Sequence, residues 1–224
     1  MKPFLLGILL GAFFVPAIGY AQSNVVDIVV EADTTKPAGY VARREPSTGS
    51  PLVLTALLPS IPLSQQANFE YRWEINGRLV NQTGQSAVLI APPGRDVAVA
   101  VFVQDEAEVI GQAEELIRMS EPQLRLYEEN SLRGLSAHPV GSDYILTGRE
   151  LTLVGVPFFL SDNAITDLAY RWAIDGRQIA PLGNDPTRMT VENTGGSGQS
   201  SVSLTIQNRD RLEQVVEATV NIQY

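Results

Sequence analysis

The sequence predicts an all-β chain of two consecutive antiparallel β-sandwiches following an apolar N-terminal helix. Three observations carry this expectation. One eight-residue motif occurs twice, as Y-R-W-E-I-N-G-R at 71–78 and Y-R-W-A-I-D-G-R at 170–177, with six of the eight positions identical. Each copy sits among short segments in which apolar and polar residues alternate, the period of a half-buried strand. After residue 21 no stretch keeps the apolar period of an amphipathic helix convincingly.

The elements follow in chain order. Residues 1–21 open with Lys2, continue through an apolar run from Phe4 and close on Pro16, Gly19 and Ala21. A positive start, a short apolar stretch and small residues just before the cut are what a signal peptidase reads, so an export signal cleaved before Gln22 is expected. The competing reading is an uncleaved membrane anchor, because no charge falls between Lys2 and Asp27. The run is short for a membrane span, which favours cleavage. The expected address is therefore periplasmic, cell-surface or secreted.

The repeat extends well beyond the motif. L-V-L-T-A-L at 52–57 faces L-T-L-V-G-V at 151–156 at the same offset of 99. Upstream, D-I-V-V-E at 27–31 aligns with L-R-L-Y-E at 124–128, an offset of 97. Downstream, A-V-L-I at 87–90 aligns with R-M-T-V at 188–191, V-A-V-A-V at 97–101 with V-S-L-T-I at 202–206, and A-E-E-L-I-R-M at 113–119 with A-T-V-N-I-Q-Y at 218–224. Every change of offset falls in a loop, where duplicated domains absorb length differences. The expected modules are 22–119 and 123–224, joined by residues 120–122. Three residues cannot act as a long flexible tether, so a restricted inter-module angle is expected.

In the third segment Tyr71, Trp73 and Ile75 share one face, as do Tyr170, Trp172 and Ile174, which marks them as core. Asn76-Gly77 and Asp175-Gly176 follow at once. These pairs accept positive φ at both central positions of a tight hairpin, so 78–80 and 177–179 are expected as return strands. Residues 106–119 contain helix formers, but their counterpart 211–224 is rich in Val, Thr and Ile, so strand is expected for both.

About seven strands in roughly 100 residues, with a tryptophan on the third, is the pattern of an immunoglobulin-like sandwich. On Tyr71, Trp73, Ile75 and Gly77, with Tyr170, Trp172, Ile174 and Gly176, the chain resembles a pair of bacterial immunoglobulin-like or PKD-like modules of exported and cell-surface proteins. The resemblance spans 25–119 and 122–224. It departs from the PKD pattern in the runs E-I-N-G and A-I-D-G, and from antibody-type domains in lacking both disulfide cysteines. It implies the architecture, and no family binding residues match.

Composition narrows the chemistry. The 224 residues include 25 acidic and 16 basic side chains, one histidine and no cysteine, for a net charge of −9. Without cysteine, disulfides, thiolate metal sites and a cysteine nucleophile are excluded. So acidic a chain is not expected to bind nucleic acid. A serine triad would have to use His138, which has Ser136, Ser142 and Asp143 nearby but no G-x-S-x-G elbow, so a solvated loop is expected there. Asp162, Asn163 and Asp167 supply hard oxygens for a candidate calcium loop, against the plainer reading of a turn. No other metal and no cofactor is expected. Asp105, Glu106 and Glu108, like Asp210, Arg211 and Glu213, read as solvated hairpin tips. Asn81-Gln82-Thr83 fits a glycosylation acceptor.

Gly195, Gly196, Ser197 and Gly198 form a glycine-rich loop without the lysine or helix of a phosphate loop, and stand as the candidate binding loop. The expected function is a non-enzymatic, exported structural or interaction protein of the cell envelope or surface. It would act through protein contacts, by strand pairing at a sheet edge or by docking loops. Copy two, with its longer loops, is expected to present them, and copy one to act as a spacer. Membrane contact is expected only through the N-terminal segment, if uncleaved. The alternative is a carbohydrate-binding module protein, stacking a glycan on Tyr40, Tyr127, Tyr144, Phe158, Phe159 or Tyr224.

Overall fold

The computed structural model describes residues 24–36, 41–161, 167–180, 183–193, 195 and 197–224. The expected export signal lies outside the described residues. The first sandwich contains β1 (Asn24–Val25), β2 (Asp27–Ala32), β3 (Pro51–Leu57), β4 (Glu70–Ile75), β5 (Arg78–Leu79), β6 (Ser86–Ile90), β7 (Val97–Asp105) and β8 (Glu108–Ile117). One of its sheets runs β2-β3-β6 and the other β1-β8-β7-β4-β5. The second sandwich contains β9 (Gln123–Asn130), β10 (Gly134–Pro139), β11 (Asp143–Ile145), β12 (Glu150–Phe158), β13 (Leu168–Ile174), β14 (Arg177–Ile179), β15 (Arg188–Glu192), β16 (Gln199–Asn208) and β17 (Val215–Gln223). Its sheets run β10-β9-β12-β15 and β11-β17-β16-β13-β14. Pairing is antiparallel except where β1 meets β8 and β11 meets β17.

Alternation builds two separate cores. β3 turns Leu52, Leu54 and Ala56 inward, and β7 does the same with Val97, Val99, Val101 and Val103. One core gathers buried side chains from Val26 to Ile117, the other from Leu124 to Ile222. Trp73 and Trp172 are both 0% exposed, one in each core. Their indole N–H groups donate to Gly84 O and Pro186 O, both at 2.9 Å, so neither polar end is stranded in the interior. Tyr71 is buried beside Trp73, whereas Ile75, Tyr170 and Ile174 are partly buried. Asn76, Gly77, Asp175 and Gly176 all have positive φ, as a two-residue hairpin turn requires. The side chains of Asn76 and Asp175 accept from Ala98 N and Ser201 N in turn, the same bond made in each copy.

Strand registers correct the internal alignment in three places. Trp73 pairs with Val101 and Trp172 with Leu204, so Val101 matches Leu204, where the sequence alignment sets it against Ile206. Leu52 pairs with Leu89 and Leu151 with Val191, so Leu89 matches Val191 and not Thr190. Thr55 pairs with Val29 and Val154 with Tyr127, so Val29 matches Tyr127 and not Leu126. The first is a slip of two residues, which leaves every side chain on its face and so escapes apolar alternation, whereas the other two are slips of one, which exchange the inward and outward faces. Two further differences are local. A one-turn helix α1 (Leu63–Gln66), which no apolar period announces, has a buried Gln66 whose amide donates to Leu58 O and Ile61 O. The stretch around His138, expected as a solvated loop, lies within β10 and at the start of β11, so His138 is exposed on a strand.

Candidate interaction surfaces

Residues 33–36 and 41–50, between β2 and β3, reach across to the second sandwich. Thr35 N donates to Leu160 O at 2.6 Å, Phe159 N donates to Thr35 O at 3.0 Å, and the Thr35 hydroxyl accepts from Leu160 N at 3.0 Å. Thr34 and Ser161 form an antiparallel bridge, and the Ser47 hydroxyl donates to Phe159 O. At the centre is Gln214, 1% exposed. Its Nε2 donates to Thr48 O at 2.5 Å and to Ser161 Oγ at 2.9 Å, while its Oε1 accepts from Ser161 N at 2.9 Å. Among the described residues no buried side-chain polar atom lacks a partner, so the joint is polar and satisfied. The turn carrying Asp210, Arg211 and Glu213 is therefore more than a solvated tip, because its next residue locks the sandwiches together. Composition could not reveal this, since the partners of Gln214 lie 53 and 166 residues away.

The outward faces of the two copies differ in kind. On β2-β3-β6, Val29, Val88 and Ile90 are 38%, 52% and 53% exposed. By strand register their counterparts are Tyr127, Thr190 and Glu192. Across β9, β12 and β15 that second face is bonded through polar groups, with Leu135 of β10 46% exposed at its edge: Arg188 pairs with Glu129 at 2.9 Å, and the Thr152 and Thr190 hydroxyls meet at 2.9 Å. On the larger sheet of copy one, Glu74, Ala100 and Glu114 fall in one register row beside Leu116, lining a groove of about 350 Å³. Copy two places Ala173, Ser203 and Thr219 in that row.

No family model matches the chain, and no curated protein matches its sequence. Among solved structures, the three N-terminal domains of the Highly Immunogenic Outer Capsid protein (Hoc) of bacteriophage RB49 align over 90% of the chain at 16% identity, with a TM-score of 0.50. The fold is a tandem of immunoglobulin-like modules. The chain spans 59% of the length of that phage structure. The fibronectin(III)-like modules of Clostridium thermocellum CbhA align over 87% of this chain and 93% of theirs, at 13% identity and a TM-score of 0.29. Sidekick-1 immunoglobulin domains 1–4 align over 86% and 74%, at 11% identity and a TM-score of 0.28.

Within these immunoglobulin-like modules the sequence-predicted site residues scatter. The Ser136 hydroxyl donates to His138 O, and Ser142 Oγ donates to Asp143 Oδ2 at 2.7 Å, so neither hydroxyl is bonded to the imidazole. Asp162 and Asn163 lie outside the described residues; Asp167 accepts from Arg209 N through its backbone oxygen. Among the described residues no three His, Cys, Asp or Glu side chains group as metal ligands. Gly195, Ser197 and Gly198 are exposed, and Gly196 lies outside the described residues. Gly195 has a φ of 95° and donates to Asn193 Oδ1, while Gly198 exchanges two backbone bonds with Tyr224. That end of the loop is thus tied to the module.

The aromatic pool is similarly committed. Phe159, expected to be exposed, is 8% exposed at the joint, with Phe158 edge-on at 6.0 Å. Tyr144 donates to Glu128 at 3.1 Å and Tyr224 shares a bond with Ser200. Tyr127 is partly buried, and Tyr40 lies outside the described residues. Beside Trp172, burial and the negative charge of Asp185 push the Tyr170 phenol up to about 12. Asp185 itself is held below the usual carboxylate range, chiefly by the Thr187 hydroxyl and further by Arg188.

Proposed function

We propose that the chain is an exported, non-enzymatic structural or interaction protein of the cell envelope or surface, acting through protein–protein contacts. The observation that carries the reading is the asymmetry between two modules of one fold. Copy one exposes Val29, Val88 and Ile90 on a sheet face where copy two bears polar, mutually bonded groups. Aliphatic exposure at positions where the other copy of the module carries Thr190 and Glu192 marks a surface for contact, because the fold does not require it there. The reading moves the expected contact from the loops of copy two to the sheet of copy one. Fixed orientation of the modules through Gln214 favours it as well, since a preorganised surface loses less entropy on binding.

The carbohydrate alternative needs exposed aromatic rings. Every described aromatic residue is at least partly buried, so nothing favours it. The test is affinity capture from envelope extracts with the wild-type protein and a Val88→Glu/Ile90→Glu variant. A partner retained by the first and lost by the second supports the reading. Retention of no protein under several extraction conditions, or equal retention by both, defeats it. N-terminal sequencing of the envelope or secreted form checks export, with Gln22 expected as the first residue.

A further inference from the structure

We propose that β2 is a homodimerisation strand, pairing antiparallel with the β2 of a second copy of this chain across a two-fold axis. The inference goes beyond the partner reading above and starts from how the sheet edges end. Unpaired edges are templates for other chains, and folded proteins guard them with short strands, proline, charge or cover. Nearly every edge here is guarded. β1, β5, β11 and β14 are two or three residues long. On β6, Gln82 accepts from Val88 N at 2.7 Å and donates to Val88 O at 2.8 Å, closing that edge with its own amide. β15 carries Arg188 and Glu192 at its ends. β10 pairs irregularly and ends in Pro139.

β2 has only the charge of Asp27 and Glu31 to set against pairing, and neither proline nor a capping side chain. It is six residues of D-I-V-V-E-A, without proline, glycine or lysine. Asp33 N donates to Pro51 O at 3.0 Å, which sets the phase of the antiparallel ladder. In that phase residues 27, 29 and 31 bond to β3, and the N–H and C=O groups of Ile28, Val30 and Ala32 point away from it. No described residue bonds to them. The duplicate shows what fits there. β9 matches β2 by register, and its outer edge is covered by the antiparallel β10, with Val140 N donating to Leu126 O at 2.7 Å.

Symmetry selects a second copy as the occupant. The free groups are symmetric about Val30, so antiparallel pairing sets Ile28 against Ala32 on both sides of a two-fold axis, the self-complementarity of an isologous interface. A groove of about 530 Å³ beside this edge is lined by Arg43 and Arg44 together with Glu31 and Asp33, so an incoming β2 meets basic and acidic groups side by side. Arg44 already pairs with Asp33 at 3.1 Å, and so offsets the approach of Asp27 to the Asp33 of the other copy.

Sedimentation velocity on the purified protein, as its host processes it, tests the proposal across a concentration series. A monomer–dimer equilibrium is expected, with the amides of Ile28, Val30 and Ala32 gaining protection from hydrogen exchange as dimer forms. Val30→Pro should abolish the dimer while keeping the far-UV spectrum, because the Val30 N–H takes no part in the β2–β3 ladder. Should that variant fail to fold, Arg43→Glu/Arg44→Glu, which changes exposed side chains only, carries the test and should likewise lose the dimer. A wild type that stays monomeric at every concentration overturns the proposal, as does a dimer that survives these substitutions. A monomer that still captures another protein through Val88 and Ile90 overturns it while leaving the partner reading intact.

Discussion

Each indole fills the middle of a core and also satisfies its own polar end, through Gly84 O or Pro186 O. Trp73→Ala or Trp172→Ala removes the packing and orphans that carbonyl, at an expected cost of about 3–5 kcal/mol each. Denaturant melts followed by a probe in each module should show the loss in the module that carries the change. Tyr170 provides a second test. Its phenol ionises at 10.0 in the unfolded chain and at about 12 in the fold, so between those values the unfolded state alone gives up the proton. Stability from this group is complete below pH 10.0 and drains away as the pH rises toward 12, on the order of 2 kcal/mol in all. Tyr170→Phe should flatten that part of the stability profile, measured by the denaturation midpoint against pH. The inward face of these residues is legible from alternation alone. The environment of Gln214 is not, because nothing local distinguishes a buried glutamine from one at a hairpin tip.

Between neighbouring strands, the register shows how two copies of one module fill the same space differently. Gly155 of β12 sits where a Cβ would come within 2.1 Å of Leu204 Cδ2 on β16. Copy one has Ala56 at the first position and Val101 at the second, both fully buried. Glycine with leucine and alanine with valine are alternative ways of dividing one volume. Gly155→Ala should therefore destabilise the second module by about 1–3 kcal/mol, and adding Leu204→Val should recover most of it. Thermal melts of the single and double variants would measure the recovery, and a double variant no more stable than the single would break the argument. At this scale the sequence reveals strands and the Asn-Gly and Asp-Gly turns, since these are local signals. Registers, α1 and the β10–β11 excursion depend on which strand lies alongside, which no local pattern encodes.

For the molecule as a whole, the fold class follows from duplication and alternation, whereas the joint does not. Nothing local in the sequence sets Thr34, Ser47 and Ser50 apart, yet all three are completely buried. Their partners become neighbours only when both modules are folded. Gln214→Ala would leave Thr48 O and Ser161 N without partners, at an expected cost of about 1–3 kcal/mol charged to the joint and not to either core. Calorimetry should then resolve two transitions in place of a single coupled one, with wider inter-module motion by small-angle scattering. A variant that melts as one unit at the wild-type temperature would show that the modules are held by something other than this glutamine.

The parallel pairing of β1 with β8 also gives the first module a mechanical character. Asn24 lies beside Gly111 and Val25 beside Gln112, with both strands running the same way. Tension that draws the start of β1 and the end of β8 apart slides these strands past one another, so the bonds between them share the load and do not open one at a time. β11 and β17 repeat the arrangement, with Asp143 beside Asn221 and Ile145 beside Gln223. Short edge strands that contribute little to the stability of a chain at rest thus become the latches that meet an outward pull.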